Sequence, residues 1–316
     1  MSDAEGAGDD ELMNELHTVR DFIRWGASRF NEAGLCFGHG TDNAVDEALE
    51  LVLYSLHLAP GLPAELMHSR LTRDERRAAA ALIRRRVRER LPAAYLTRRA
   101  WFAGFEFYVD QRVLVPRSPM AELIERGFQP WLRADVHRIL DIGTGSGCIA
   151  VACAYAFPEA QVDAVDVSAD ALAVAELNIE RHELHGRVHA LRSDLFAALA
   201  GRRYELIVSN PPYVSRAEME ALPEEYRREP ALGLSAGEDG LDIVVRLLAE
   251  GADHLTPDGV LIVEVGDSEQ ALIRRFPEVP FLWLDFAKGG GGVFLLENSV
   301  LTRHREAFRA ARESTA

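Results

Sequence analysis

The sequence predicts an α/β protein, in which a doubly wound, mostly parallel sheet follows a small all-helical N-terminal domain. Three observations support this prediction. Apolar residues recur at helical spacing through the first third of the chain, short β-rich runs alternate with helical runs from Val136 onward, and a last β-rich run follows "KGGGG" without a helix before it. Strand–helix alternation is typical of a parallel sheet covered by helices. A final strand that lacks a crossover helix can join such a sheet only by antiparallel pairing.

The helical domain is predicted at residues 1–97. Its first ten residues, "MSDAEGAGDD", are acidic and contain glycine, a composition typical of a disordered lead. Helices are expected over Asp10–Asn31, over "DNAVDEALELVLYSLHL" and over "TRDERRAAAALIRRRVRERL", because apolar residues recur there every three or four positions. The arginine run at 84–90 is either a contact to RNA or a solvated helix face, and the acidic residues around it favour the solvated face.

A connector is predicted at residues 98–116, ahead of a sheet domain at 117–316. The aromatic and β-branched residues of "WFAGFEFYVDQRVLVPR" indicate a β-hairpin with its turn at Asp110–Gln111. The strands of the sheet are then expected at the following runs: "VHRILDIG", "QVDAV", "RVHAL", "YELIVS", "GVLIVEV", "PFLWLDF" and "GVFLLE".

The composition indicates a cytoplasmic protein. No run reaches the roughly 20 apolar residues of a membrane span, and the acidic N-terminus lacks the basic start of a signal peptide. The three cysteines are too few and too irregularly spaced for a disulfide framework or a zinc site. The net charge of −15 disfavours sequence-independent electrostatic binding of nucleic acid and favours binding of a basic protein partner.

A glycine-rich turn, "DIGTGSG", ends the first strand of the predicted sheet. Its three glycines let the backbone approach a ligand closely, and the helix that follows offers free amide groups. Asp166 follows the second strand, where a carboxylate can accept both hydroxyls of a ribose. The turn also satisfies the looser dinucleotide fingerprint, but Asp141 disfavours a pyrophosphate and suits a cationic amino acid moiety.

These motifs, together with "NPPY" after the fourth strand, resemble the class I S-adenosylmethionine-dependent methyltransferases that modify an amide or amino nitrogen. The segments "FEFYVDQRVLVPRSPMAELI", "SDLF", "EEYRREPALGLSAGEDGLDI" and "LTRHREAF" are similar to the protein-glutamine methyltransferases of the translation machinery. This resemblance covers nearly the whole chain, strongly from about residue 100. The run Pro116-Arg117-Ser118-Pro119 departs from the proline-arginine-proline form of the release-factor enzymes and resembles the branch that methylates large-subunit ribosomal protein L-three.

The resemblance implies a binding site for S-adenosylmethionine. The positions that correspond to the family's cofactor contacts are Asp141, Gly143, Thr144, Gly145, Ser146, Gly147, Asp166, Asp194, Leu195, Phe196 and Asn210. Many relatives have tryptophan at the position of Leu195. We therefore expect that either Phe196 stacks on the adenine instead or the stacking is weaker. Arg117 is either a contact near the methionine end of the cofactor or a salt-bridged residue. The run Glu238–Gly240 either caps the next helix or lines the substrate cleft.

Asn210, Pro211, Pro212 and Tyr213 are the predicted catalytic and substrate-binding residues. A glutamine amide is a poor nucleophile because resonance occupies its nitrogen lone pair, so it must be held in one pose. The Asn210 side chain and the Pro211 carbonyl can accept its two N–H groups, and the prolines stiffen the turn without adding donors. Tyr213 can stack on one face of the amide and leave the other face open to the methyl donor.

The expected function is methyl transfer to a glutamine amide of ribosomal protein L-three, free or in an assembly intermediate. One alternative is glutamine methylation of peptide chain release factors. A second is methylation of exocyclic base amines in nucleic acid, which present the same paired donors. The acidic charge argues against that substrate, and no sequence-specific binding of nucleic acid is expected. A third is a ribosome-assembly factor that binds without catalysis, which the intact turns disfavour.

Overall fold

A computed structural model describes residues 14–132 and 135–314. The chain divides into two compact units, of which the first comprises Met1–Arg99 and Pro223–Arg228 and the second Ala100–Leu222 and Glu229–Ala316. The acidic lead and the start of the first predicted helix at Asp10 lie outside the described residues. The short segment Pro223–Arg228, from the loop that follows "NPPY", thus belongs to the first unit. Hydrophobic periodicity does not predict this assignment.

The first unit is helical. Its helices are α1 (Val19–Glu32), α2 (Ala44–Ser55), α3 (Arg73–Glu89) and α4 (Ala93–Thr97), with a 3₁₀ turn at Ala64–His68. Helix α1 begins at Val19 because Thr18 and Asp21 form a reciprocal cap, in which each side chain accepts a hydrogen bond from the other's backbone N–H. The core between these helices includes the fully buried side chains of Phe22, Phe30, Leu51 and Ile83.

The arginine run of α3 is only partly a solvated face. Arg85 and Arg88 are exposed, but Arg86 is fully buried, and its guanidinium lies 2.7 Å from Glu47 and 3.5 Å from Glu225. Both carboxylates are buried as well. The prediction of a solvated helix face is therefore wrong for Arg86. Its burial is possible because Glu47, 39 residues earlier in the chain, and Glu225, far later, neutralise its charge.

The second unit opens with a β-hairpin of β1 (Ala100–Phe102) and β2 (Phe105–Phe107), paired antiparallel. Its turn lies at Ala103–Gly104, where both residues have positive φ, of 48° and 81°. Two such residues match the twist of a tight hairpin. A turn also forms at Asp110, where the Val113 N–H donates to the Asp110 carbonyl at 3.1 Å and the Asp110 carboxylate accepts the backbone N–H of Arg112. This turn joins no pair of strands, so the prediction that it closes the hairpin is wrong.

A seven-stranded sheet forms the body of the second unit, in the order β5-β4-β3-β6-β7-β9-β8. Strands β3 to β7 pair in parallel, whereas β9 pairs antiparallel with β7 and β8. The strands are β3 (Arg138–Ile142), β4 (Gln161–Asp166), β5 (Val188–Arg192), β6 (Tyr204–Ser209), β7 (Leu255–Glu264), β8 (Leu282–Trp283) and β9 (Val293–Glu297). The predicted doubly wound sheet with an antiparallel last strand is confirmed.

Helices pack on both faces of this sheet and form two apolar layers with it. They are α5 (Met120–Glu125), α6 (Cys148–Ala156), α7 (Ala169–Arg181), α9 (Asp242–His254), α10 (Glu269–Arg275), α11 (Asn298–Arg303) and α12 (Arg305–Glu313). A further helix, α8 (Arg216–Ala221), lies between β6 and α9 in the chain and buries none of its residues. Within the described ranges, no helix has the length and apolar character needed to cross a membrane.

The register of the sheet brings four strand ends to one edge. Ile142 is paired with Val165 and with Ser209, and Ser209 is paired with Val263. Because these strands are parallel, the residues that follow them leave the sheet side by side.

Candidate active site

The turns after β3 and β6 lie next to each other. A Cβ placed on Gly143 would lie 3.8 Å from the carbonyl oxygen of Asn210. The three glycines of the first turn all have positive φ, between 54° and 79°, a region in which side chains are strained. Gly147 also faces Ala175 of α7, whose Cβ would be 3.2 Å from an added Cβ. Glycine is thus required in this turn by both conformation and packing.

Asp166 is fixed at the end of β4 by backbone donors. One carboxylate oxygen accepts the N–H of Gly145 at 3.0 Å and the other accepts the N–H of Ser168 at 2.9 Å. Burial raises the pKa of this carboxyl, against the effect of the backbone hydrogen bonds. Each oxygen keeps a further lone pair, so the ionised group can still accept the two hydroxyls of a ribose.

Asp141, the fourth residue of β3, is fully buried. Its Oδ2 accepts the hydroxyl of Thr144 at 2.6 Å and the N–H of Ala150 at 3.1 Å. Its Oδ1 is also buried, and no group in the described part of the chain donates to it. Burial raises the pKa of Asp141 to about 7, and the nearby Asp166 adds to the rise. A buried acceptor with a spare oxygen fits a cationic ammonium group such as that of S-adenosylmethionine.

Asn178 of α7 supports the glycine turn from behind, a role that the sequence did not reveal. It is fully buried, and its Nδ2 donates to the carbonyl oxygens of Ser146 at 2.8 Å and Tyr108 at 3.0 Å. Its Oδ1 accepts the N–H of Tyr108 at 2.8 Å. The only signal in the sequence is a polar residue at a buried position of an otherwise apolar helix face.

The "SDLF" segment presents less aromatic surface than expected. Asp194 forms an ion pair with Arg246 at 2.8 Å. Phe196 is buried and stacks on His254, with the ring centroids 4.5 Å apart and the planes at 10°. Leu195 is buried too, at a positive φ of 49°. One ring face of Phe196 is therefore occupied, which favours the alternative of weaker adenine stacking.

The turn after β6 carries the two predicted acceptors, Asn210 Oδ1 and the carbonyl oxygen of Pro211. Ser209 ties the end of β6 to β3, since its hydroxyl donates to the carbonyl of Ile142 at 2.8 Å. Asn210 is half-buried. Among the described residues, none donates a hydrogen bond to Asn210 Oδ1 or to the carbonyl oxygen of Pro211. Both oxygens of the predicted pair thus keep their lone pairs, on a half-buried Asn210 and a buried Pro211.

Tyr213 is held closely by Gly240, Gly266 and Ser268, of which sequence reasoning missed the last two. Its carbonyl oxygen accepts the hydroxyl of Ser268 at 3.1 Å and lies against Gly240, where a side chain would clash. Its ring lies against Gly266, whose added Cβ would be only 2.6 Å from the ring atom Cε2. The glycines at 240 and 266 also have positive φ, of 76° and 47°. They allow two loops to approach the tyrosine closely.

Arg117 forms a forked ion pair with buried Glu229, in which both N···O distances are 2.7 Å. Glu229 also accepts the N–H of Val115 at 2.9 Å. The structure thus shows the ion pair, and a contact of Arg117 with the cofactor stays a prediction. In the run Glu238–Gly240, Asp239 accepts the N–H of Leu241 at 3.1 Å, directly ahead of α9.

The sheet order, the glycine turn and the "NPPY" turn together define a class I methyltransferase. The family model Methyltransferase small domain matches residues 128–224. A ribosomal protein uL3 glutamine methyltransferase from Xanthomonas campestris pv. campestris is 56% identical over 293 residues, which are 92% of this chain and 94% of that protein. Its counterpart from Xylella fastidiosa is 53% identical over 298 residues, 94% of this chain and 95% of that protein.

Among solved structures, a methyltransferase from Pyrococcus furiosus is 23% identical with a TM-score of 0.45, over 62% of this chain and 89% of that one. The identity of the two relatives over nearly their full length is decisive. The chain belongs to the ribosomal protein uL3 glutamine methyltransferase family. It is an enzyme, and its methyl donor is S-adenosylmethionine.

Proposed function

We propose that this enzyme methylates the side-chain amide nitrogen of a glutamine in ribosomal protein uL3. The observation that carries the proposal is a pair of oxygens, Asn210 Oδ1 and the Pro211 carbonyl, to which no described residue donates, on a turn that lies beside Gly143. A primary amide has two N–H donors, and two fixed acceptors hold it in one orientation. Orientation matters here because the nitrogen is a weak nucleophile.

The residues of the chain act by binding and positioning. When bound, S-adenosylmethionine supplies a methyl group on a positively charged sulfur. Asn210 and Pro211 direct the amide nitrogen toward that methyl group, and the Tyr213 ring covers one face of the amide plane. As the nitrogen bonds to the methyl carbon, the bond from that carbon to sulfur breaks, and its electron pair stays on the sulfur, which becomes neutral. The nitrogen takes up the positive charge and becomes acidic, so its proton can leave to water without a side chain placed as a base.

Asp141 and Asp166 hold the two ends of the donor in this proposal. Asp166 accepts the ribose hydroxyls with the lone pairs that Gly145 and Ser168 leave open. Asp141 offers Oδ1 to the ammonium group of the methionine moiety. The glycine turn lies between them and allows the close approach of the donor.

Two observations favour uL3 over a release factor as the substrate. The relatives that match this chain over nearly its full length are named for uL3. The net charge of −15 also suits a basic ribosomal protein, free or in an assembly intermediate, which such an enzyme attracts from solution. Mature ribosomes expose RNA that would repel it. We place this reaction in the cytoplasm, where a newly made ribosomal protein is still unassembled.

The test is a side-by-side assay with purified enzyme, labelled S-adenosylmethionine, and equal amounts of uL3 and a release factor. We expect label in uL3, at an initial rate that falls as salt is raised, because the field is screened beyond about 10 Å at 0.1 M salt. The Asn210→Ala variant serves as the inactive control. Preferential labelling of the release factor at its Gly-Gly-Gln loop would overturn the choice of substrate.

A further inference from the structure

Glu264 is a buried carboxylate at the active-site edge to which the mechanism above gives no role. It is the last residue of β7 and is 5% exposed. Strand β7 lies beside β6, and Val263 is paired with Ser209. Glu264 therefore leaves the sheet level with Asn210, one strand away from the turn that holds the substrate amide.

Two hydroxyl groups converge on this carboxylate. Ser118 Oγ lies 2.5 Å from Oε2, and the Tyr213 hydroxyl lies 3.1 Å from Oε1. Both hydroxyls can donate at once only if the carboxylate is ionised, since a protonated oxygen must itself donate. Burial raises the pKa of Glu264, while the two hydroxyls and the charge of Arg117 oppose that rise.

The tyrosine that Glu264 holds is restrained at three points. Its hydroxyl donates to Glu264, its ring lies against Gly266, and its carbonyl oxygen accepts from Ser268. Gly266 and Ser268 follow Glu264 closely in the chain, so a single segment after β7 fixes the whole residue. Ser118 in turn accepts the N–H of Met120 at the start of α5, at 3.1 Å.

We propose that Glu264 is a positioning residue that fixes the plane of the Tyr213 ring and, through Ser118, couples the Pro116–Pro119 run to the "NPPY" turn. Glu264 itself does not touch the reacting atoms. It acts by setting the surface on which the substrate amide lies, so its loss lowers the rate of transfer and leaves donor binding intact. The proposal rests on the proposed function, in which Tyr213 covers one face of that amide.

The main test is a double-mutant cycle of Glu264→Gln and Tyr213→Phe. Glutamine has nearly the same volume but only one acceptor oxygen, so one hydroxyl loses its partner. We expect Glu264→Gln alone to lower kcat on the order of 10- to 100-fold and to change the cofactor affinity, measured by calorimetry, by less than about twofold. In the Tyr213→Phe background the same change should lower kcat less than about threefold, because its target hydroxyl is absent.

Asp267→Asn is the matched control. Asp267 is exposed and acts on Tyr213 through its charge without a hydrogen bond. Removing it takes away a nearby negative charge and leaves the Glu264 contact in place, so kcat should stay close to that of the wild type. An equal loss of activity in this variant would show that charge, rather than the hydrogen bond, is what Tyr213 requires.

A second readout does not depend on activity. In enzyme labelled with fluorotyrosine, the Tyr213 signal is assigned by its absence from the Tyr213→Phe spectrum. We expect fluorine NMR to show that signal shifted and broadened in Glu264→Gln and in Ser118→Ala, and shifted at most slightly, with its linewidth unchanged, in Asp267→Asn. The Ser118→Ala variant keeps the test available if Glu264→Gln fails to fold.

Additive losses in the cycle, or an unchanged Tyr213 signal in Glu264→Gln, would overturn the proposal. Its failure can be told apart from failure of the proposed function. If the enzyme methylates a different protein, the wild type itself is inactive on uL3, and the cycle is then measured on the protein that it does methylate. If only the positioning role is wrong, the wild type is active on uL3 and the two substitutions act independently.

Discussion

Replacing Asp141 with asparagine should change how cofactor binding depends on pH. Asp141 is fully buried, and its pKa is raised to about 7 from the ordinary 3.8. Because the folded-state pKa is the higher one, the protonated carboxyl is the form that folding favours, and this contribution to stability is lost as pH rises toward 7. The ionised form needs a cationic partner, and the ammonium group of the donor supplies one.

The size of the effect follows from that pKa. A donor that binds only the ionised carboxylate must displace a proton below pH 7, so its affinity should fall by roughly 15-fold between pH 7 and pH 5.5. Calorimetry in buffers of different ionisation enthalpy should count about one proton released per donor bound at pH 5.5. Asparagine keeps an acceptor for Thr144 and Ala150 but has no proton to lose.

The Asp141→Asn variant also controls for the titration of other groups near the donor site. The pKa of Asp166 is raised too, and the variant keeps Asp166, so the difference between the two pH profiles isolates Asp141. At pH 7 the variant should bind the donor more weakly by roughly tenfold or more, the usual cost of losing a charged acceptor. If wild type and variant show the same pH profile, Asp141 does not face the ammonium group.

Three further substitutions test other parts of the account. Asp166→Ala should weaken donor binding by about 1.5 to 3 kcal/mol, because two ribose hydroxyls lose an ionised acceptor; calorimetry measures this, and unchanged affinity would remove Asp166 from the site. Asn210→Ala should lower the methylation rate on the order of 100-fold or more while lowering donor affinity far less; near-normal turnover would contradict the two-acceptor model. Arg86→Ala should lower the free energy of unfolding by about 3 to 5 kcal/mol in denaturant titrations, because Glu47 remains buried without its cation, whereas Glu225 keeps Arg90 at 3.1 Å; a loss below about 1 kcal/mol would show that the Arg86–Glu47 pair is solvated.

The sheet could be predicted because local pattern determines it. Each strand is a short, mostly apolar run, three of the four parallel crossovers contain a helix, and the "KGGGG" stretch leaves no room for another crossover. The glycine turn and Asp166 were likewise visible, since their spacing from the strand ends is fixed by the fold. The positions of Gly143 and Asn210 beside each other follow directly from that strand order.

The residues that sequence reasoning missed are those whose partners lie far away in the chain. Glu264 meets Ser118 across 146 positions, and Asn178 meets Tyr108 across 70. No local periodic pattern in the sequence predicts such pairs. A polar residue within an otherwise apolar run is the only sequence signal that they leave. The hairpin turn was misplaced for a different reason. Asp110–Gln111 has suitable turn residues, but Ala103–Gly104 has the shorter loop and the glycine that a tight hairpin requires.

The most direct test of the central claim is tandem mass spectrometry of uL3 from cells that lack this enzyme and are complemented with either the wild type or Asn210→Ala. We expect one methyl group on a glutamine side-chain nitrogen with the wild type, and little or none with Asn210→Ala at equal enzyme abundance. A methyl group on another residue type, or full methylation with Asn210→Ala, would contradict the central claim.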